Sequence, residues 1–423
     1  MRSNTLAVAL VAVGVVVPAC RDNDSPTAPP VANVTEQQSE GRGVFQRYVA
    51  IGTSVSMGWQ SDGVFSTSQS EAWPVQLARL AGRPLDLPLI SGNGCRAPLV
   101  APLASGVRTS GEAAGLPAAQ AVCSPLQPGI ELPKGNVAIA GATTFEALRV
   151  TPETHPDAFY SKLYSRILPA GKTQLDAALA QNPKFVSVEL GANEVMPARS
   201  GIAIPGTTIF PVATWAPLYT ALVDRVAQEV GRGILVGLIN DVASFPSFRR
   251  GGELYSDRAT FSAAFNVQVS SDCEDSRNLL FVAVRVPTAI ATGLSQKARG
   301  LGPFVLSCAD GGLGVQDFVL TPAEQQIVNA TLAEMDQHIA ATAARHRFAL
   351  TRLETLYGRE DLKPRFSVVQ LMTTAQPYGQ YMSLDGIHPN AAGHAVLATA
   401  AARAINERYG YGLPTELGIV ASR

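Results

Sequence analysis

Short continuous apolar runs alternate along the chain with longer stretches whose apolar positions recur at helical spacing. The runs YVAIG at 48–52, NVAIAG at 136–141, KFVSVELG at 184–191 and GILVGLIN at 233–240 predict strands buried on both faces, and FALTRLE at 348–354 predicts another. The stretches SEAWPVQLARLAG, from Ser70, and ATWAPLYTALVDRVAQEVG, up to Gly231, predict helices. A further helix opens on Thr321 as N-cap with Pro322 at its first position, and a closing helix is capped by Asn390. Strands alternating with helices predict an α/β fold, a three-layer α/β/α sandwich around a mostly parallel central sheet. Its chemistry is expected at the carboxyl ends of the strands.

Two segments break this alternation. Residues 92–134, rich in Gly, Pro and Ala, and residues 244–320, with many Gly, Ser and Asp, read as long insertions over the sheet rim. No fixed-period repeat and no linker divides the body, so one domain is expected over 45–410, followed by a tail at 411–423.

The first residues, MRSNTLAVALVAVGVVVPAC, place Arg2 before an apolar run too short to span a bilayer, then small residues, then Cys20. This predicts an export signal at 1–19. Its end, Val17-Pro18-Ala19-Cys20, resembles a bacterial lipobox, in which cleavage leaves Cys20 as the lipid-bearing terminus anchored at a membrane of the cell envelope. Cleavage after Ala19 with soluble secretion is the alternative. Residues 20–44, polar and dotted with proline, read as a tether.

Composition narrows the function. The 423 residues are 46% hydrophobic, enough for a large core, while 16% charged residues and a net charge of -1 supply no field for phosphate. No Lys/Arg block stands out, so nucleic acid is not expected as a partner, and no protein partner is implied. With Cys20 set aside, four cysteines remain in an oxidising compartment and allow three pairings; the two short spacings favour Cys95–Cys123 and Cys273–Cys308. Four buried thiols are the plain alternative. No Cys-x-x-Cys or His-x-x-x-His spacing argues for a metal, and no cofactor is expected.

Four places at predicted strand ends carry candidate chemistry. In GTSVSMG, Ser54 follows a strand where a hydroxyl can point out above the sheet, although Gly-Thr-Ser also describes an ordinary turn and Thr53 and Ser56 compete locally. Gly141 ends NVAIAG with an amide that could face an anion, and Asn193 in GANE could donate to a developing oxyanion. In SLDGIHPNAAGH, Asp385 stands three residues before His388, a spacing at which a carboxylate can hold one imidazole nitrogen while the other activates a hydroxyl. Each alone is also a common turn or capping arrangement.

Taken in order, GTSVS, AIAGATT, GANE and DGIHPNAAGH resemble the four blocks of the SGNH, or GDSL-type, hydrolases, over a span from about Tyr48 to about Tyr409. Thr53 and Glu194 stand where that family frequently has aspartates. The resemblance implies a metal-free carboxylic-ester hydrolase of the lipase/acylhydrolase kind. In it Ser54 is nucleophile, His388 base and Asp385 its orienting acid, with the Ser54 and Gly141 amides and the Asn193 side chain as oxyanion hole. Small-molecule or lipid esters are the expected substrates, and sugar O-acetyl esters the alternative. Phe245, Phe248, Phe261 and Phe265 are candidates to line an acyl groove. A non-catalytic surface lipoprotein that binds a glycan or partner is the competing reading from another class.

Overall fold

The computed structural model describes residues 34–416. The export signal, Cys20, the start of the tether and the end of the tail lie outside the described residues. The central sheet is parallel, in the order β1 (Tyr48–Gly52), β2 (Phe185–Glu189), β3 (Gly233–Gly237) and β4 (Ala349–Arg352). Every residue of β1, β2 and β3 is buried, because helices cover both faces. Trp73–Leu80 and Ala391–Tyr409 pack together in one layer. Gln174–Leu179, Val212–Val230 and Pro322–His346 form the other. The caps work as expected: Thr321 and Glu324 close a reciprocal capping box, and the Asn390 side chain accepts from the amides of Ala392 and Gly393.

Several elements depart from the sequence reading, each for a local reason. Residues 136–139 run beside β1, with Val137 N–H donating to Ala50 C=O (2.9 Å) and Ile139 N–H to Gly52 C=O (3.0 Å), but only a single bridge is formed. The Asn136 side chain accepts the Ala138 amide on the outer side, closing this edge to a further strand. The helix expected from Ser70 is two helices, Ser66–Glu71 and Trp73–Leu80, broken at Ala72. Pro74 has no N–H for the carbonyl four residues back, and its ring crowds that carbonyl. The end of the expected tether is a helix, Val34–Val44, whose Glu40 pairs with Arg232 at 2.8 Å and whose Gly41 lies against Tyr411. The tail likewise begins by packing, with Tyr411 and Leu413 buried.

The two insertions differ in kind. The first is irregular apart from short turns at Leu103–Ser105 and Ala118–Gln120. The second has its own three-stranded antiparallel sheet (Phe248–Arg250, Leu279–Phe281, Val319–Leu320), a parallel strand pair and the long helix Val282–Ala298. Strands this short leave no periodic signal. Disulfides join Cys95 to Cys123 and Cys273 to Cys308, one in each insertion.

Candidate active site

Ser54 lies two residues past the end of β1, at the first position of a single helical turn, Ser54–Met57. The strand has to turn sharply here, and Gly58 closes the turn at φ +87°. The turn is held from below by Glu189, the last residue of β2, which is fully buried. It accepts from both the amide and the hydroxyl of Thr53 and from both the amide and the hydroxyl of Ser56. Burial pushes its carboxyl pKa up while those hydrogen bonds pull the other way. Thr53 and Ser56 are thus committed to Glu189, and Ser56 also accepts from the Trp73 indole. Of the three neighbouring hydroxyls, Ser54 alone meets an imidazole.

That imidazole is His388, whose Nε2 is 2.9 Å from Ser54 Oγ and whose Nδ1 is 2.9 Å from Asp385 Oδ2. Asp385 is bound on both oxygens. Oδ1 accepts the amides of Ile387 and His388 and the Ser383 hydroxyl, and Oδ2 also accepts the Asp62 amide. Burial pushes the Asp385 carboxyl up, but the neighbouring imidazole and the amide donors outweigh it and bring the pKa to about 2. It is therefore an anion at neutral pH, able to accept from Nδ1–H and leave Nε2 free to take a proton from Ser54. The loop is fixed further by the Tyr357 hydroxyl, which donates to Ile387 C=O (2.7 Å).

Gly141 adopts φ +82°, and a Cβ there would fall 2.7 Å from the Tyr160 ring, so the position has both a conformational and a steric need for glycine. Among the described residues, neither Gly141 N–H nor Ser54 N–H has an acceptor. Asn193 sits in the turn Ala192–Glu194 beyond β2, and its Nδ2 donates to Ala142 C=O (2.9 Å), leaving its second hydrogen free. Glu194 ties the same turn to the Gly141 loop by accepting the Thr144 amide at 2.7 Å.

The remaining histidines stand apart from this constellation. His155 packs between Tyr160 and Tyr164 with Glu146 at 3.4 Å, His338 bonds Thr220, and His346 pairs with Asp224. His394 is fully buried behind His388 with neither ring nitrogen bonded among the described residues, and burial together with the His388 charge lowers its pKa to about 3. Glu189, Asp62 and Ser383 were not singled out from the sequence. Only Glu189 carried a signal there, as a lone carboxylate inside the apolar run KFVSVELG.

An apolar cleft lies beside the Asn193 turn. Ala192 and Val195 line it with Leu238, Val242, Phe245 and Phe248; Arg199 is the one charged residue at its wall. Phe261, by contrast, is core, stacked on Phe366, and Phe265 is half-buried beside it. The one grouping among the described residues that could hold a cation is Asp272 with Cys273 and Cys308, whose sulfurs are already joined. No helix among those residues is long and apolar enough to cross a membrane.

No protein-family profile matches the chain, and no curated protein matches it in sequence. Solved structures similar to it include an acetylxylan esterase from Geobacillus stearothermophilus (13% identity, 88% of this chain and 96% of that chain, TM-score 0.34). A GDSL-like lipase from Parabacteroides merdae (10%, 86% and 95%, 0.34) and an α/β hydrolase enzyme from the metagenome of Lake Arreo, Spain (14%, 87% and 99%, 0.36) are others. Likeness at this level assigns no residue a role.

Proposed function

We propose that the protein is a serine-dependent carboxylic-ester hydrolase, exported and anchored through a lipid on Cys20. The observation that carries the catalytic part is the continuous chain from Ser54 Oγ through His388 to Asp385, 2.9 Å at each step. His388 Nε2 takes the Ser54 proton as Oγ bonds to the ester carbon. The oxyanion is met by the free amides of Ser54 and Gly141 and by the second Asn193 hydrogen. The tetrahedral species then collapses, His388 passes the proton to the departing alcohol, and water repeats the sequence to release the acid and restore Ser54. The two disulfides fit an oxidising compartment.

The cleft beside Asn193 accepts the acyl part of the ester, since its wall is apolar apart from Arg199. Labelling by a fluorophosphonate, with Ser54→Ala as control, tests the nucleophile. Nitrophenyl esters from acetyl to palmitoyl, alongside acetylated xylan, test the substrate. Label on wild type alone with ester turnover is expected, and Asn193→Ala should keep its fold and lose about 10²–10³ in kcat. A folded wild type that takes no label and turns over no ester is a binding module.

A further inference from the structure

The turn Gln60-Ser61-Asp62-Gly63 is an unusual piece of chain. Gln60 and Gly63 exchange backbone hydrogen bonds, and both central residues lie in the left-handed region, Ser61 at φ +52° and Asp62 at φ +60°. This is the geometry that ordinarily selects Asn-Gly, and a non-glycine residue there is held against its backbone preference. Something outside the turn therefore has to favour Asp62.

Its surroundings on both sides supply the reason. Towards the site, Asp62 N–H donates to Asp385 Oδ2, the oxygen that also receives His388 Nδ1. Ser61 N–H donates to Ser383 Oγ, and the Leu384 amide donates back to Ser61 Oγ. Away from the site, the Asp62 carboxylate is gripped by two guanidinium groups of the first insertion, Arg96 (2.9 Å) and Arg108 (2.5 Å). Arg108 is 1% exposed and also donates to the carbonyls of Asp62, Ala97 and Ala114. Arg96 adjoins Cys95, the residue that the first disulfide joins to Cys123. A buried cation with one carboxylate partner fixes that carboxylate firmly, because separating them would leave the charge uncompensated.

The geometry points to Asp62 as a positioning residue of the catalytic centre, clamped by Arg108 and Arg96 so that its backbone amide holds Asp385 in line with His388. The first insertion thereby braces the acid of the triad rather than only covering the sheet rim. This rests on the esterase reading above, and it goes beyond it in giving the site a support that the four sequence blocks do not contain.

Two substitutions at one position separate bracing from folding. Asp62→Gly suits the left-handed turn better than the native residue and keeps the amide, but releases both arginines. Asp62→Asn tolerates the same backbone and keeps an acceptor for Arg108. On a nitrophenyl ester, Asp62→Gly is expected to lower kcat about 10-fold with KM unchanged, the scale of a slightly misplaced catalytic group, and Asp62→Asn to recover most of it. Arg108→Met should match Asp62→Gly. In hydrogen exchange of the full chain, peptides covering 59–64 and 383–390 should speed up in Asp62→Gly and stay protected in Asp62→Asn. Wild-type kcat in Asp62→Gly, or equal losses in the Gly and Asn variants tracking the folded fraction, would overturn the clamp. If wild type itself takes no fluorophosphonate and cleaves no ester, the esterase reading falls instead. The exchange comparison then decides the clamp alone: equal protection in both variants removes it.

Discussion

Each insertion is closed by one disulfide and lies at the rim of the same sheet, yet they relate to the centre in opposite ways. The first has almost no regular structure and reaches Asp385, the proposed acid, from Arg96 and Arg108 through the Asp62 carboxylate and its backbone amide. The second builds its own small sheet and long helix, meets the acid–base loop in the Ser247 N–H bond to Gly386 C=O, and gives Phe245 and Phe248 to the apolar cleft. Regular structure is thus no guide to catalytic importance here. In the proposed reading the irregular segment braces the acid of the triad, and the ordered one shapes where a substrate lies.

The largest test of this contrast removes the staples in turn. They close loops of similar length, with sequence separations of 28 and 35, so chain entropy gives each about 3.5 kcal/mol. Denaturant titration should show comparable losses for Cys95→Ala/Cys123→Ala and Cys273→Ala/Cys308→Ala. Only the first pair should also lower kcat in the folded protein, by about 10-fold. Equal effects on kcat would erase the distinction.

His394 belongs to neither insertion and marks the acid stability of the body that carries them. Its folded pKa of about 3 lies below the unfolded value of 6.5, so the unfolded chain binds the proton first. Its share of stability is complete above pH 6.5 and is lost as pH falls towards 3. Urea titrations at pH 7.5 and pH 5 should show His394→Leu losing about 2 kcal/mol less over that interval than wild type. The same interval leaves the contrast between the two disulfide pairs unchanged.

The smallest effect concerns selectivity. Phe245→Ala widens the cleft and should raise kcat/KM for a hexanoyl ester relative to acetyl about 5-fold, whereas Asp62→Gly should leave that ratio alone. A ratio that moves with Asp62 and not with Phe245 would exchange the roles given to the two insertions.

What was legible in the sequence was local. Continuous apolar runs specified the strands because a parallel sheet is buried on both faces, and the Thr321, Pro322 and Asn390 signals set helix starts because capping is decided within one turn. The order of Ser54, Gly141, Asn193, Asp385 and His388 could be read because the first three follow strand segments and the last two share one loop. The edge segment at 136–139 and the break at Ala72 were less legible, since both turn on which backbone groups find partners.

Tertiary structure alone decided which groups meet across the chain. Glu189 under the Ser54 turn, and Asp62 between two arginines and Asp385, each bring together residues remote in sequence. No periodicity records such meetings. Asp62 appears in the sequence as an ordinary loop aspartate, and it acquires its place only when burial leaves Arg108 with a single anion to face among the described residues.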